Sequence, residues 1–166
     1  MSVMAKKITV YALMAACAMI FGYIESIFSL SFIAPGIKLG LANSVVLLLL
    51  CRGDLKGALA VNTVRILLSA LLFSTPFTLL FSFTAGICST LVMRLFSGLK
   101  SVSPIGFSIA GAAVHNLVQL SVAALIFGRA VWYYLPFLSL SALVSGGAVG
   151  AAALLVFKKL KTNPYF

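Results

Sequence analysis

Residues 39–51 read LGLANSVVLLLLC, thirteen residues without a charge. As a helix they reach about 20 Å, short of the roughly 30 Å hydrocarbon core of a bilayer. The other apolar runs are longer and cover about 8–28, 57–74, 77–96, 105–127 and 132–157. None alternates with period two, which argues against a strand barrel. The expected fold class is an all-α membrane protein, a six-transmembrane-helix bundle in one domain over residues 1–166, with a short second helix. That helix starts below the outer surface, or the preceding segment folds back into the membrane. Residues 29–38 are rich in Phe, Leu and Ile and carry the turn signal Pro35-Gly36. Non-helical backbone at such depth is tolerated only against protein or a water-filled cavity. A cavity open to one side is the natural inference.

Composition points the same way. The chain is 63% hydrophobic and 8% charged, with mean hydropathy +1.20, whereas a soluble domain carries about 25% charged residues. So much apolar surface exceeds what one core of this size hides from water. Net charge is +10, but the basic residues form short clusters between apolar runs. No basic surface is large enough to neutralise several phosphates of a nucleic acid. The first run is too long for a cleavable leader and reads as a retained helix.

The Lys and Arg residues also orient the chain. Lys6, Lys7, Arg52, Lys56, Arg94, Lys100, Lys158, Lys159 and Lys161 fall on one side, while Lys38 and Arg129 fall on the other. By the positive-inside rule both termini are expected in the cytoplasm, in a multi-pass protein of the bacterial cytoplasmic membrane. Trp132, Tyr133 and Tyr134 then form a belt at the outer interface.

Polar residues inside the spans mark a candidate site. Arg65 is mid-span, where a charge costs about 2.5–3.5 kcal/mol on insertion scales. Its alternatives are a ligand contact and an internal salt bridge, with Glu25 as the possible charge partner. Asn62 lies one turn earlier on the same face. His115, Asn116 and Gln119 share a face of the fifth span, as interhelical hydrogen bonds or as ligand contacts. Lys38 and Asn43 flank the start of the short helix, whose N–H groups attract anions. Lys38 either snorkels to the surface or joins that site. Glu25, Lys38, Arg65 and Arg129 sum to +2 in the outer half, which suggests an acidic ligand. A single His and no Cys pair leave too few ligands for a metal. Cys17, Cys51 and Cys88 read as packing residues.

Ala12 and Ala16, and likewise Gly146 and Gly150, are four apart. Such small-residue faces pack helices within a bundle or dock another membrane subunit.

Three segments carry a family resemblance: PGIKLGLAN at 35–43, VRILL at 64–68 and AVHNLVQ at 113–119. They resemble the bacterial Gx transporter family, also labelled heptaprenyl diphosphate synthase component I. That family is similar to the substrate-binding S components of energy-coupling factor (ECF) transporters, which are small six-helix proteins. The resemblance implies capture of a small-molecule substrate from outside. It also implies a transmembrane coupling subunit and two ATPase subunits as partners. Ala12 and Ala16 match the docking face on the first helix of S components. ATP then belongs to the partner subunits, since this chain has no phosphate-binding G-x-x-x-x-G-K-[ST] and is expected to hold no cofactor. The second label implies a different role, a non-catalytic membrane accessory subunit of polyprenyl diphosphate or quinone synthesis. Prenyl elongation requires clustered aspartates to hold Mg²⁺, and the only Asp here is Asp54. The chain is therefore expected not to be an enzyme. A third reading, a stand-alone secondary carrier, usually brings two related halves, and no internal repeat stands out.

Overall fold

The computed structural model describes residues 3–27, 40–73, 76–99 and 101–161. The segment 29–38, with Pro35-Gly36 and Lys38, lies outside the described residues, as do Thr75 and Lys100. Among those described, the regular structure is entirely helical: α1 Val3–Ile27, α2 Asn43–Cys51, α3 Leu55–Phe73, α4 Pro76–Ser97, α5 Pro104–Phe127 and α6 Leu135–Lys161. A 3-10 turn, Arg129–Tyr134, precedes α6 and takes up the aromatic belt residues that the apolar run had placed in the last span.

Among the described residues, five helices are long and apolar enough to cross a membrane; α2 is the exception. It has nine residues rather than thirteen, because Gly40 takes a left-handed φ of 74° and a turn follows it before the helix begins. Nine residues rise only about 14 Å. The expected six transmembrane helices thus become five of spanning length around one short helix.

The position of α2 organises the molecule. It packs against all five other helices, and Val45, Val46, Leu47, Leu49 and Leu50 are buried. A helix apolar on every side belongs in a core. Around it run contacts from α1 to α3, α3 to α4, α4 to α5 and α5 to α6. Large apolar side chains such as Leu13, Leu71 and Leu125 face outward, as a lipid solvent allows and water does not.

Helix ends are closed by local chemistry. The Ser103 hydroxyl accepts the Gly106 N–H at 3.2 Å, and Pro104 occupies the first turn of α5, where its missing N–H costs nothing. Between α2 and α3, the N–H groups of Arg52, Gly53 and Asp54 return to the carbonyls of residues 48–50. Asp54 then caps α3, with Oδ1 accepting the Gly57 N–H at 2.9 Å, while the Tyr11 hydroxyl donates to Oδ2. The single aspartate therefore ties α1 to the start of α3.

Burial pushes the Asp54 carboxyl up, but the Tyr11 hydroxyl, the Gly57 N–H, Lys7 and Arg52 together outweigh it and hold it below its ordinary value. A carboxyl depressed in the folded state lends its stability above its unfolded-state pKa and loses it as pH falls through the folded value. The α1–α3 tie should be intact at neutral pH and open only below the ordinary carboxylate range. Hydrogen exchange over the first half of α1 checks this. Protection should drop on strong acidification in the wild type and depend little on pH in Asp54→Asn. Parallel pH profiles in the two proteins would remove Asp54 as the cause.

Candidate functional site

Because α2 is short, space remains beyond its N-terminus. A cavity of about 70 Å³ sits there, and every helix contributes to its wall. Glu25 comes from α1, Arg65 from α3, Ser82 from α4, Ala112, His115 and Asn116 from α5, and Ser145 from α6, with Gly40, Ala42 and Asn43 as the floor.

The floor is held by Glu25, which is 8% exposed. Its Oε1 accepts the Gly40 N–H, and the Gly40 carbonyl in turn accepts the Asn43 N–H at 2.9 Å. The left-handed turn at Gly40 brings its N–H and its carbonyl to these two partners. Glu25 therefore clamps the backbone that leads into α2. No ion pair among the described residues joins it to Arg65, although both line the cavity.

Arg65 is set by the residue one turn before it. Its Nη2 donates to Asn62 Oδ1 at 2.7 Å. Asn62 Nδ2 donates to the Gly86 carbonyl at 3.0 Å and to Thr90 Oγ1 at 3.1 Å. The amide is 1% exposed, so Asn62 is a bracket between α3 and α4 rather than part of the cavity wall. Gly86 allows this approach, since a Cβ there would lie 2.6 Å from Ile66 Cδ1 and 3.1 Å from Asn62 Nδ2. The guanidinium Nε is buried with no hydrogen-bond partner among the described residues. An arginine offers five donors in a fixed fork, and a buried donor left unmet is costly.

On α5, Asn116 Nδ2 donates to the Leu138 carbonyl of α6 at 2.8 Å, fixing one wall to the next. Of the residues expected at a site, Glu25, Asn43, Arg65, His115 and Asn116 meet at this cavity. Asn62 supports it from behind, Gln119 is not on its wall, and Lys38 lies outside the described residues. Ser82 and Ser145 line it without having stood out in sequence. Small hydroxyl residues are common in membrane helices, and neither has a spacing signal. Among the described residues no group of three or more His, Cys, Asp or Glu is placed to hold a metal.

The small-residue pairs diverge. Gly146 and Gly150 are buried against α5. Ala12 and Ala16 are exposed, and α1 turns Ala15 and Ala18 inward instead.

Fold and cavity together define a membrane-type helical bundle with a polar chamber sealed on one side by a short central helix. Over residues 14–156 the chain matches the family described as heptaprenyl diphosphate synthase component I, and it belongs to that family. The match includes all three segments that carried the resemblance. The family's description names one component of a synthase. No curated protein and no solved structure matches the chain.

Proposed function

We propose that this chain is a membrane-embedded substrate-binding subunit, similar to an ECF S component, that captures a small anionic metabolite for uptake driven by partner ATPases. The observation that carries this reading is the cavity at the N-terminus of α2, with a guanidinium only partly engaged by the protein. Arg65 is assigned the acidic group of the ligand. Asn43, His115 and Asn116 are assigned its polar atoms, and Lys38 and Gln119 are proposed as further contacts, to the acidic group and to the polar atoms, on their sequence alone. Asn62 positions Arg65. The termini are assigned to the cytoplasm, so the cavity opens outward.

The family description favours a second reading, a non-catalytic accessory subunit in polyprenyl diphosphate synthesis. Asp54, the chain's one aspartate, is engaged as a helix cap and tied to Tyr11, so this role too places the chemistry on a partner.

Partner identity separates the two. The exposed Ala12/Ala16 face is assigned to the coupling subunit. Co-expression with a coupling subunit and its ATPases should yield a complex that Ala12→Leu/Ala16→Leu abolishes, while the variant keeps its wild-type melting temperature. Normal assembly of the double variant sinks the docking assignment. A wild-type chain that ignores the coupling subunit but co-purifies with a prenyl synthase catalytic subunit decides for the accessory role.

A further inference from the structure

A larger cavity, of about 540 Å³, lies at the opposite end of α2. It is built where the start of α1 meets the α2–α3 turn, and its wall includes Lys6, Lys7, Val10, Tyr11, Arg52 and Asp54. Three cations face one carboxylate there, and both carboxylate oxygens are already engaged, by the Tyr11 hydroxyl and the Gly57 N–H. Among the described residues the groove is therefore positive by two, and its acid, Asp54, is committed to the fold. Lys7 Nζ lies 5.7 Å from the centre of the Tyr11 ring, within cation–π range, so its ammonium is held at the groove. On the membrane side, Val10 leads onto Leu13, which is 67% exposed on the outside of α1. A basic chamber with an apolar exit suits a phosphate head carried on a hydrocarbon chain. Basic pockets between membrane helices bind anionic head groups in general.

We propose that this groove is a second ligand site, which seats a phosphate group, either the head of an anionic membrane lipid or a free phosphate. The site is independent of the Arg65 cavity, from which the buried body of α2 separates it.

The test uses the full chain, delipidated in a neutral detergent. Binding is read by native mass spectrometry and by thermal unfolding. The probes are dioleoylphosphatidylglycerol, zwitterionic dioleoylphosphatidylcholine and inorganic pyrophosphate. Lys6→Gln/Lys7→Gln changes two exposed side chains and so keeps the fold, and Arg52→Gln is measured beside it. Lys158→Gln/Lys159→Gln is the control, removing two exposed charges outside the groove. Phosphatidylglycerol should bind the wild type and the control at least about tenfold more tightly than the Lys6/Lys7 variant, and the gap should shrink with added salt. Binding of phosphatidylglycerol without pyrophosphate assigns the site to lipid. Binding of pyrophosphate as well shows that the phosphate suffices. Binding of pyrophosphate without phosphatidylglycerol assigns the site to a free phosphate, whereas equal binding by the groove variant and the wild type, an equal loss in the control, or binding of neither anionic probe above phosphatidylcholine overturns the proposal.

Discussion

On the proposed substrate-binding reading, Arg65→Ala is expected to lower affinity for a small anion in the α2 cavity by about a hundred- to a few thousandfold, since breaking a buried charge pair costs about 3–5 kcal/mol. The molecule itself is obtained by denaturing purified protein and identifying what is released by mass spectrometry. Titration calorimetry on the emptied protein then measures the effect. The bundle should survive the substitution, because the bracket from Asn62 Nδ2 to Gly86 and Thr90 does not involve Arg65. The hydrogen bond to Asn62 Oδ1 is lost. Arg65→Lys distinguishes charge from geometry: an ammonium keeps the charge but not the two-pronged fork, so its affinity should fall between those of the wild type and the alanine variant. Wild-type affinity in a folded Arg65→Ala protein would remove Arg65 from the site. It would then be a structural cation attached to Asn62.

The five long helices were legible because each is a long, predominantly apolar run, which a lipid solvent favours. The short run was visible too, but its meaning was only half so. Length said that residues 39–51 cannot span; it could not say that the helix packs against all five others, since that depends on packing between segments far apart in the chain. The same limit separates the polar residues. Arg65, His115 and Asn116 stood out because polar groups are costly in lipid, and all three line the cavity. Asn62 and Gln119 carry the same local signal, yet one became a bracket to α4 and the other stands off the wall. Helical spacing places residues on a common face but does not say how deep each sits. Glu25 was noticed as an acid near Arg65, whereas its bond to the Gly40 N–H depends on where the chain returns fifteen residues later. Asp54 was read only as too little to hold Mg²⁺, whereas its tie to Tyr11 spans 43 positions.

Gly150→Leu is expected to destabilise the bundle the most. A Cβ at Gly150 would lie 2.7 Å from Ile105 Cα, 2.9 Å from Ser108 Cβ and 3.3 Å from the Pro104 carbonyl oxygen. At Gly146 it would lie 2.8 Å from Ile109 Cα and 3.0 Å from Ala112 Cβ. These neighbours are mostly backbone, so no rotamer change makes room and α5 must move away from α6. Overpacking typically costs about 1–3 kcal/mol, and a leucine against main chain should reach or exceed the top of that range. The displacement would also reach the cavity, because α5 carries His115 and Asn116, and Asn116 is bonded to Leu138 on α6. Gly150→Ala should therefore already lower the melting temperature in detergent, and Gly150→Leu should leave little folded protein to purify. The pair Ala12/Ala16 has the same four-residue spacing, but it is exposed. Leucine at both of those positions should leave the melting temperature unchanged. If Gly150→Leu melts like the wild type, the close approach of α5 and α6 is wrong. If Ala12→Leu/Ala16→Leu melts as low as Gly150→Leu, then α1 packs through that face, and it is not open to a partner.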